Sequence, residues 1–123
     1  MDHEGEVCQH FQRAAELLAR RWVPQIVLVM LPAPQRFSDL RAAIPAISDT
    51  LLSERLKELE ADGILTRTVT PSTPVRIEYG LTEQGHDLSG VLGELSGWAE
   101  RWAANAGADR AALPPTEPGV RPR

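Results

Sequence analysis

The sequence predicts a mainly α-helical domain that carries one β-hairpin, an α+β fold. The 123 residues suit one domain of ordinary size, and the 42% hydrophobic share is enough to build a core. Apolar residues recur at helical spacing over most of the chain. In residues 64–81 the side-chain types alternate at every second residue instead, which is the period of β-strands. With 24% charged residues, the composition argues against both a disordered polyelectrolyte and a membrane protein.

Two helices are predicted in the first third of the chain. The first has one apolar face, with spacings of i, i+4, i+7 or i+8, and i+11. Its residues are Val7, Phe11, Ala14, Ala15 and Leu18. The apolar run at 22–31 could by periodicity alone be a buried strand or a buried helix. A helix is favoured because Pro24 suits a first turn, whereas Pro32 and Pro34 force an end.

Two further helices are predicted on either side of a tight turn. The first covers residues 37–44 and ends before Pro45. The second starts after Ser48, a good N-cap, and ends near Gly63, a typical residue just past a helix. Its inward stripe is Leu52, Leu56 and Leu59. A helix, a short turn and a second helix with a polar outer face can present that second helix to a DNA major groove.

A hairpin and a long helix complete the prediction. Residues 64–81 alternate on both sides of the turn at 71–74 and therefore predict two paired strands. Thr82 is a plausible N-cap for the last helix. Its apolar stripe extends over four turns, more than one small core readily covers, which predicts a homodimer. The stripe comprises Leu88, Val91, Leu92, Leu95, Trp98 and Trp102.

The folded body is predicted at residues 7–104. Residues 1–6 are expected to be a flexible N-terminus, and residues 105–123 a disordered proline-rich tail. The single cysteine, Cys8, excludes an intramolecular disulfide. No secretory signal and no apolar run of ~20 residues is present, so the expected location is cytoplasmic, with no membrane partner.

The order of these elements is that of a winged helix-turn-helix with N- and C-terminal dimerisation helices. In this architecture the second helix of the pair reads DNA and the hairpin is the wing. The same fold also serves in protein recognition. The alternative is therefore a winged-helix protein-interaction module that no longer binds DNA.

Two sequence blocks are more specific than the architecture. Residues 52–63 read L-x-x-R-L-x-x-L-x-x-x-G, and residues 76–85 read R-x-E-Y-x-L-T-x-x-G. Over residues 8–102 the chain resembles the HxlR-type family of bacterial transcription regulators. The resemblance implies a dimeric repressor or activator on a pseudopalindromic operator, often near detoxification or stress-response genes. The chain departs from the family at Asp49-Thr50, where many members have Pro-Lys.

Candidate DNA contacts follow from the helical wheel and the wing. With the leucines inward, Thr50, Glu54 and Lys57 lie on the opposite face and Ser53 beside it. Hydroxyls can bond base edges or phosphates, and lysine and arginine can bind phosphates. The complete set of candidates is Arg36, Ser38, Ser48, Thr50, Ser53, Arg55, Lys57 and Arg76.

Several of these side chains have a structural alternative. Lys57 could be a solvated helix charge, and Glu54, which could accept from cytosine, could pair with a cation on the protein. Arg55 lies at the edge of the apolar stripe, so it could anchor the helix to its neighbour or extend to the DNA backbone. Arg76 could enter the minor groove or pair with an acid across the hairpin. Ser38 could be a helix cap instead of a phosphate contact.

A sensing function is the remaining hypothesis. Cys8 precedes the first helix, where the resemblance implies a redox- or electrophile-reactive cysteine in several members; a small buried side chain is the alternative. An effector pocket or dimer interface is predicted at Phe11, Trp22, Leu95, Trp98 and Trp102. No catalytic motif is present and the three histidines are scattered, so no enzyme, metal site or cofactor is expected.

The charge limits how the chain can bind DNA. The net charge is −4, which argues against a non-specific polyanion binder. The predicted DNA-reading part at 36–81 has six basic and seven acidic side chains. Arg36, Arg55, Lys57 and Arg76 could still converge on one face. We therefore expect a dimer that needs two half-sites and binds unrelated DNA poorly.

Overall fold

The computed structural model describes residues 8–111, and the predicted flexible N-terminus at 1–6 lies outside this range. Five helices and one two-stranded antiparallel sheet confirm the predicted fold class. The described residues form two compact units, one up to Gly90 and one from Val91 onward. In chain order the elements are α1 (Gln9–Ala19), α2 (Val23–Met30), α3 (Phe37–Ala43), α4 (Asp49–Ala61), β1 (Leu65–Thr70), β2 (Arg76–Leu81) and α5 (Glu83–Ala111).

The apolar run left open between strand and helix is the helix α2. Pro24 lies in its first turn, where the missing N–H costs no hydrogen bond, and the helix ends before Pro32. Trp22 precedes it with a left-handed backbone, at φ 74°. Val23, Ile26 and Val27 are completely buried because α2 lies in the centre of the first unit.

Helix α4 begins and ends at the predicted residues. The Ser48 hydroxyl accepts a hydrogen bond of 3.1 Å from the Leu51 N–H and so caps the first turn. Gly63, at φ 81°, ends the helix in a conformation that residues with a Cβ rarely adopt. The buried stripe of α4 is the predicted one, Leu52, Leu56 and Leu59.

The hairpin pairs Leu65 with Leu81 at its base and Thr70 with Arg76 near its tip. Tyr79 in β2 also exchanges two backbone hydrogen bonds of 2.8 Å with Gln35, ahead of α3. The sequence did not predict this bridge. It fixes the hairpin beside the start of the helix-turn-helix.

Helix α5 starts at the predicted cap. The Thr82 hydroxyl accepts from the Gly85 N–H at 3.0 Å and donates to the Gly63 carbonyl at 2.6 Å. The helix continues to Ala111, so residues 105–111 are helical where the sequence predicts the start of a disordered tail. The alanine-rich stretch favours helix, and prolines begin only at residue 114. The rest of the predicted tail, from 112, lies outside the described range.

Candidate nucleic-acid interface

The outer face of α4 is polar and open. Thr50, Glu54 and Lys57 are exposed, and Ser53 is half-buried. The leucine stripe on the opposite side is buried, which fixes the rotation of the helix about its axis. The sequence-predicted reading face is therefore the exposed face in the structure.

Two shallow concavities meet on this face and share Ser53 and Lys57. One extends towards Phe37 at the start of α3, and the other towards Arg67 and Tyr79 on the hairpin. Together they make one continuous surface, which we call the reading surface. Its polar members are Asp49, Thr50, Ser53, Glu54, Lys57, Glu60, Arg67 and Tyr79.

The acid at the start of α4 is neutralised within the protein. Asp49 forms an ion pair with Arg41 of α3, and Arg41 Nη1 also donates to the Ile47 carbonyl at 2.8 Å. These contacts join α3, the turn and the first turn of α4. They also reduce the repulsion that Asp49 would exert on an approaching phosphate.

Two acids near the other end of α4 are paired with arginines. Glu58 lies 3.2 Å from Arg20 and 3.1 Å from Arg55, and Asp62 lies 3.6 Å from Arg20. Arg20 follows the last residue of α1 and so connects that helix to α4. Neither Glu58 nor Asp62 lines the reading surface, whereas Glu60 does.

Arg55 does not converge with the other cations. Its Nε donates to the Arg21 carbonyl at 3.0 Å, its Nη1 bonds Glu58, and its side chain is only 17% exposed. The sequence left two roles open for Arg55, an anchor of the helix or a contact to the DNA backbone. In the structure its side chain anchors α4 to its neighbour. The physical reason is its position on the wheel, at the edge of the buried stripe.

Four cations of the helix-turn-helix and the hairpin remain without an ion pair among the described residues. Within residues 8–105, no acidic partner lies within ion-pair distance of Arg36, Lys57, Arg67 or Arg76. Arg36 and Ser38 are exposed at the start of α3. Ser38 is not the cap of that helix, because the N-cap residue is Arg36. The Arg36 N–H donates to Asp39 Oδ2 at 3.0 Å. The hydroxyl of Ser48, in contrast, is engaged in its cap.

The hairpin carries two arginines on opposite faces. Arg67 pairs with Tyr79 on the side of the hairpin that meets α4, whereas Arg76 pairs with Thr70 on the other face near the tip. Sequence reasoning selected Arg76 and missed Arg67. The available signal was alternation, because Arg67 is two residues from the inward Leu65 and so shares its side of the strand.

The predicted sensing residues fall in separate places. Cys8 is half-buried at the N-cap of α1, and Phe11 on that helix is 64% exposed. Trp22 lines a cleft beside α2. Leu95, Trp98 and Trp102 lie on one face of α5 in the second unit, each about half exposed. No three histidine, cysteine or acidic side chains among residues 8–111 gather as metal ligands would.

Comparison with known proteins places this geometry in a family. The HxlR-like helix-turn-helix model matches residues 17–106. The HTH-type transcriptional regulator YvaP of Bacillus subtilis is 50% identical over 100 residues, which are 81% of this chain and 93% of YvaP. YodB, an HTH-type transcriptional regulator of the same organism, is 42% identical over 78% of this chain and 86% of its own length.

Two solved structures have the same fold. The reduced form of YodB from B. subtilis superposes with a TM-score of 0.71, at 42% identity, over 77% of this chain and 93% of that one. The redox regulator HypR in its reduced form gives a TM-score of 0.74 at 28% identity, over 80% and 97%. No helix within residues 8–111 is long and apolar enough to span a bilayer. The chain belongs to the HxlR-like helix-turn-helix family of transcriptional regulators.

Proposed function

We propose that the chain acts as a homodimer on a pseudopalindromic DNA operator, with α4 of each protomer in a major groove. The observation that carries the proposal is the distribution of charge around α4. Asp49, Glu58 and Asp62 are paired with arginines of the protein, whereas Lys57 and Arg67 on the reading surface are not. Pairing of these three acids makes the surroundings of α4 less negative than the net charge of −4 suggests. Within residues 8–105, Glu54 and Glu60 on the reading surface have no cation within ion-pair distance, so they balance Lys57 and Arg67 there.

Each side chain of this surface has a distinct role in the proposal. Thr50 and Ser53 contact base edges, because they lie in the first two turns of the helix that enters the groove. Lys57 and Arg67 bind the phosphates on either side of it. Arg36 and Ser38 bind the backbone from the start of α3, and Arg76 contacts it from the tip of the wing.

The dimer is proposed from the second unit of the structure. Val91, Leu95, Trp98 and Trp102 recur at i, i+4, i+7 and i+11 along α5 and are 50–58% exposed. An apolar stripe of this length is costly to leave in water, and a second copy of the same helix would cover it. Two protomers would supply the two recognition helices that a pseudopalindrome requires.

Cys8 is proposed as the site of an oxidant or electrophile response. The thiol precedes α1, is half-buried rather than enclosed, and is the single cysteine in the chain. The similar proteins YodB and HypR have been solved in reduced forms, and HypR is described as a redox regulator. In one route, two Cys8 thiols of a dimer form a disulfide and deliver two electrons and two protons to the oxidant.

DNA binding is tested with the duplex upstream of the chain's own gene, because local regulators often bind their own promoters. A gel-shift titration should give a saturable complex that an unrelated duplex of equal length does not compete away. Equal competition by both duplexes would contradict sequence-specific binding, and the absence of any complex would leave the protein-interaction module as the better description of this fold.

The response of Cys8 is tested separately on the same complex. Oxidant should change the DNA affinity of the wild-type protein and leave Cys8→Ser unaffected. Mass spectrometry under non-reducing conditions should identify the oxidised form of Cys8. A full response in Cys8→Ser would end the proposal for this residue, without bearing on the DNA interface.

A further inference from the structure

An apolar cleft lies between α2 and the turn that joins α3 to α4. Its volume is about 430 Å³, within the roughly 300–1,000 Å³ typical of small-molecule sites. The walls are the side chains of Trp22, Leu28, Val29, Ile44 and Pro45. None of these residues belongs to the reading surface, so the cleft is a separate feature of the first unit.

The lining of the cleft selects against charge. Apart from the indole N–H of Trp22, its one polar side chain is the amide of Gln25, and no ionisable residue lines it. The nearby guanidinium of Arg21 is stacked over the Trp22 ring, 5.2 Å from its centroid. Placing an ion against these apolar walls would remove its water shell with no charged group in the lining to replace it. A neutral occupant avoids that cost.

The aromatic wall of the cleft is the indole of Trp22. Trp22 is the N-cap residue of α2 with a left-handed backbone, a conformation that residues with side chains seldom adopt. The Arg21 guanidinium lies over the same ring. An aromatic wall favours stacking with a planar ring.

We propose that this cleft binds a neutral, planar, largely apolar molecule that carries one hydrogen-bonding group for Gln25. Its position matters because two of its lining residues adjoin contacts that hold the helix-turn-helix together. Trp22 follows Arg21, whose carbonyl accepts from Arg55, and Ala46 at the rim precedes Ile47, whose carbonyl accepts from Arg41.

The charge requirement is tested on the full chain with two fluorescent probes that share one ring skeleton. N-phenyl-1-naphthylamine is neutral, and 1-anilinonaphthalene-8-sulfonate adds a sulfonate. The neutral probe should bind with saturation at one site per protomer and at least about tenfold more tightly than the anion. Equal affinities, or no saturable binding of the neutral probe, would overturn the proposal.

The location is tested by filling the cleft. Ala46→Phe and Ala43→Phe place a ring at its rim, and Ala42→Phe adds the same ring at an exposed position of α3 outside the lining. The two filling variants should weaken the neutral probe by about tenfold or more, whereas Ala42→Phe should bind like wild type. Thermal melts identify a variant that misfolds, and if one filling variant misfolds the other is used alone.

Binding that both folded filling variants leave unchanged would place the probe elsewhere, for example on the exposed stripe of α5, and would refute the assignment. The measurement uses no DNA. Its outcome is therefore independent of the proposed operator binding.

Discussion

Arg55 of α4 donates a hydrogen bond of 3.0 Å to the carbonyl oxygen of Arg21, 34 residues earlier in the chain. This bond fixes the recognition helix to the junction between α1 and α2. The same guanidinium also donates to Glu58, which does not line the reading surface. One side chain thus both positions the helix and pairs one of its acids.

Replacing Arg55 by methionine should destabilise the fold. The variant retains the apolar stem but loses the hydrogen bond to the Arg21 carbonyl, at a cost of about 0.5–1.5 kcal/mol because water can reach this exposed acceptor. Glu58 is 39% exposed, so loss of the ion pair adds little to this figure. Urea denaturation measures the change, with Arg67→Met as the matched control because Arg67 is exposed. Equal stability of the two variants would contradict the anchoring role.

Lys57→Ala and Arg67→Ala should weaken DNA binding in a salt-dependent way. Removing one phosphate contact should reduce the slope of log K against log[salt] by about 0.9, hence roughly twice that for a dimer. Fluorescence anisotropy at several salt concentrations measures the slope. Arg13→Ala, on the exposed surface of α1, serves as the control with equal loss of charge. A slope that changes as much in the control would remove these residues from the interface.

Arg76→Ala tests the wing on its own. We expect lower affinity for every sequence together with a smaller salt slope, because Arg76 would bind the DNA backbone. Arg76 and Arg67 lie on opposite faces of the hairpin, so comparing the two variants reports which face of the wing meets DNA. An unchanged slope for Arg76→Ala excludes its role.

Thr50→Ala should change sequence preference rather than electrostatics. Without the Thr50 hydroxyl at a base edge, the preference for the operator over a scrambled duplex should fall by about tenfold, with the salt slope unchanged. Competition titrations of wild type and variant against both duplexes measure the ratio. Uniform weakening on both duplexes would mean that Thr50 touches only the backbone.

Gly85 and Gly90 offer a matched pair for the fold. A Cβ on Gly85 would stand 2.2 Å from the Ile64 carbonyl oxygen, whereas a Cβ on Gly90 meets nothing within 4 Å. Gly85→Ala should therefore lower the free energy of unfolding by roughly 1–3 kcal/mol. Gly90→Ala should raise it by about 0.5–1 kcal/mol, because alanine is the better helix former. Similar unfolding midpoints would mean that α5 does not approach β1 as closely as the structure has it.

Leu95→Glu tests the proposed dimer. A charge in the apolar stripe of α5 should shift the protein to monomer, whereas Ser96→Glu places the same charge towards the other side of the helix and should remain dimeric. Light scattering after size exclusion measures the mass. A Leu95→Glu variant with the wild-type mass would exclude this stripe as the interface.

Local signals in the sequence were sufficient to predict the helices and strands of the fold. Pro24, Ser48, Gly63 and Thr82 each mark a helix boundary because their backbone or capping chemistry acts within a few residues. Position on a helical wheel likewise predicted the outer face of α4. Such signals need no knowledge of how the elements pack.

Contacts between distant segments could not be predicted in the same way. The bond from Arg55 to Arg21 and the bridge from Gln35 to Tyr79 depend on how separate elements pack. Arg67 was missed for a related reason, since a strand's alternation defines two faces but not which one meets α4. The three ion-paired acids on and next to α4 likewise count as negative charge in a sequence and are neutralised only in the fold.

The most direct measurement uses the full chain to select its binding sites from a random pool of duplexes. The enriched sequences decide whether α4 reads DNA as part of a dimer. We expect enrichment of one inverted repeat whose half-sites are centred about one helical turn, 10–10.5 base pairs, or a multiple of it apart. We also expect Thr50→Ala to enrich a motif altered within the half-sites. A pool that shows no enriched motif after selection would contradict DNA reading by α4.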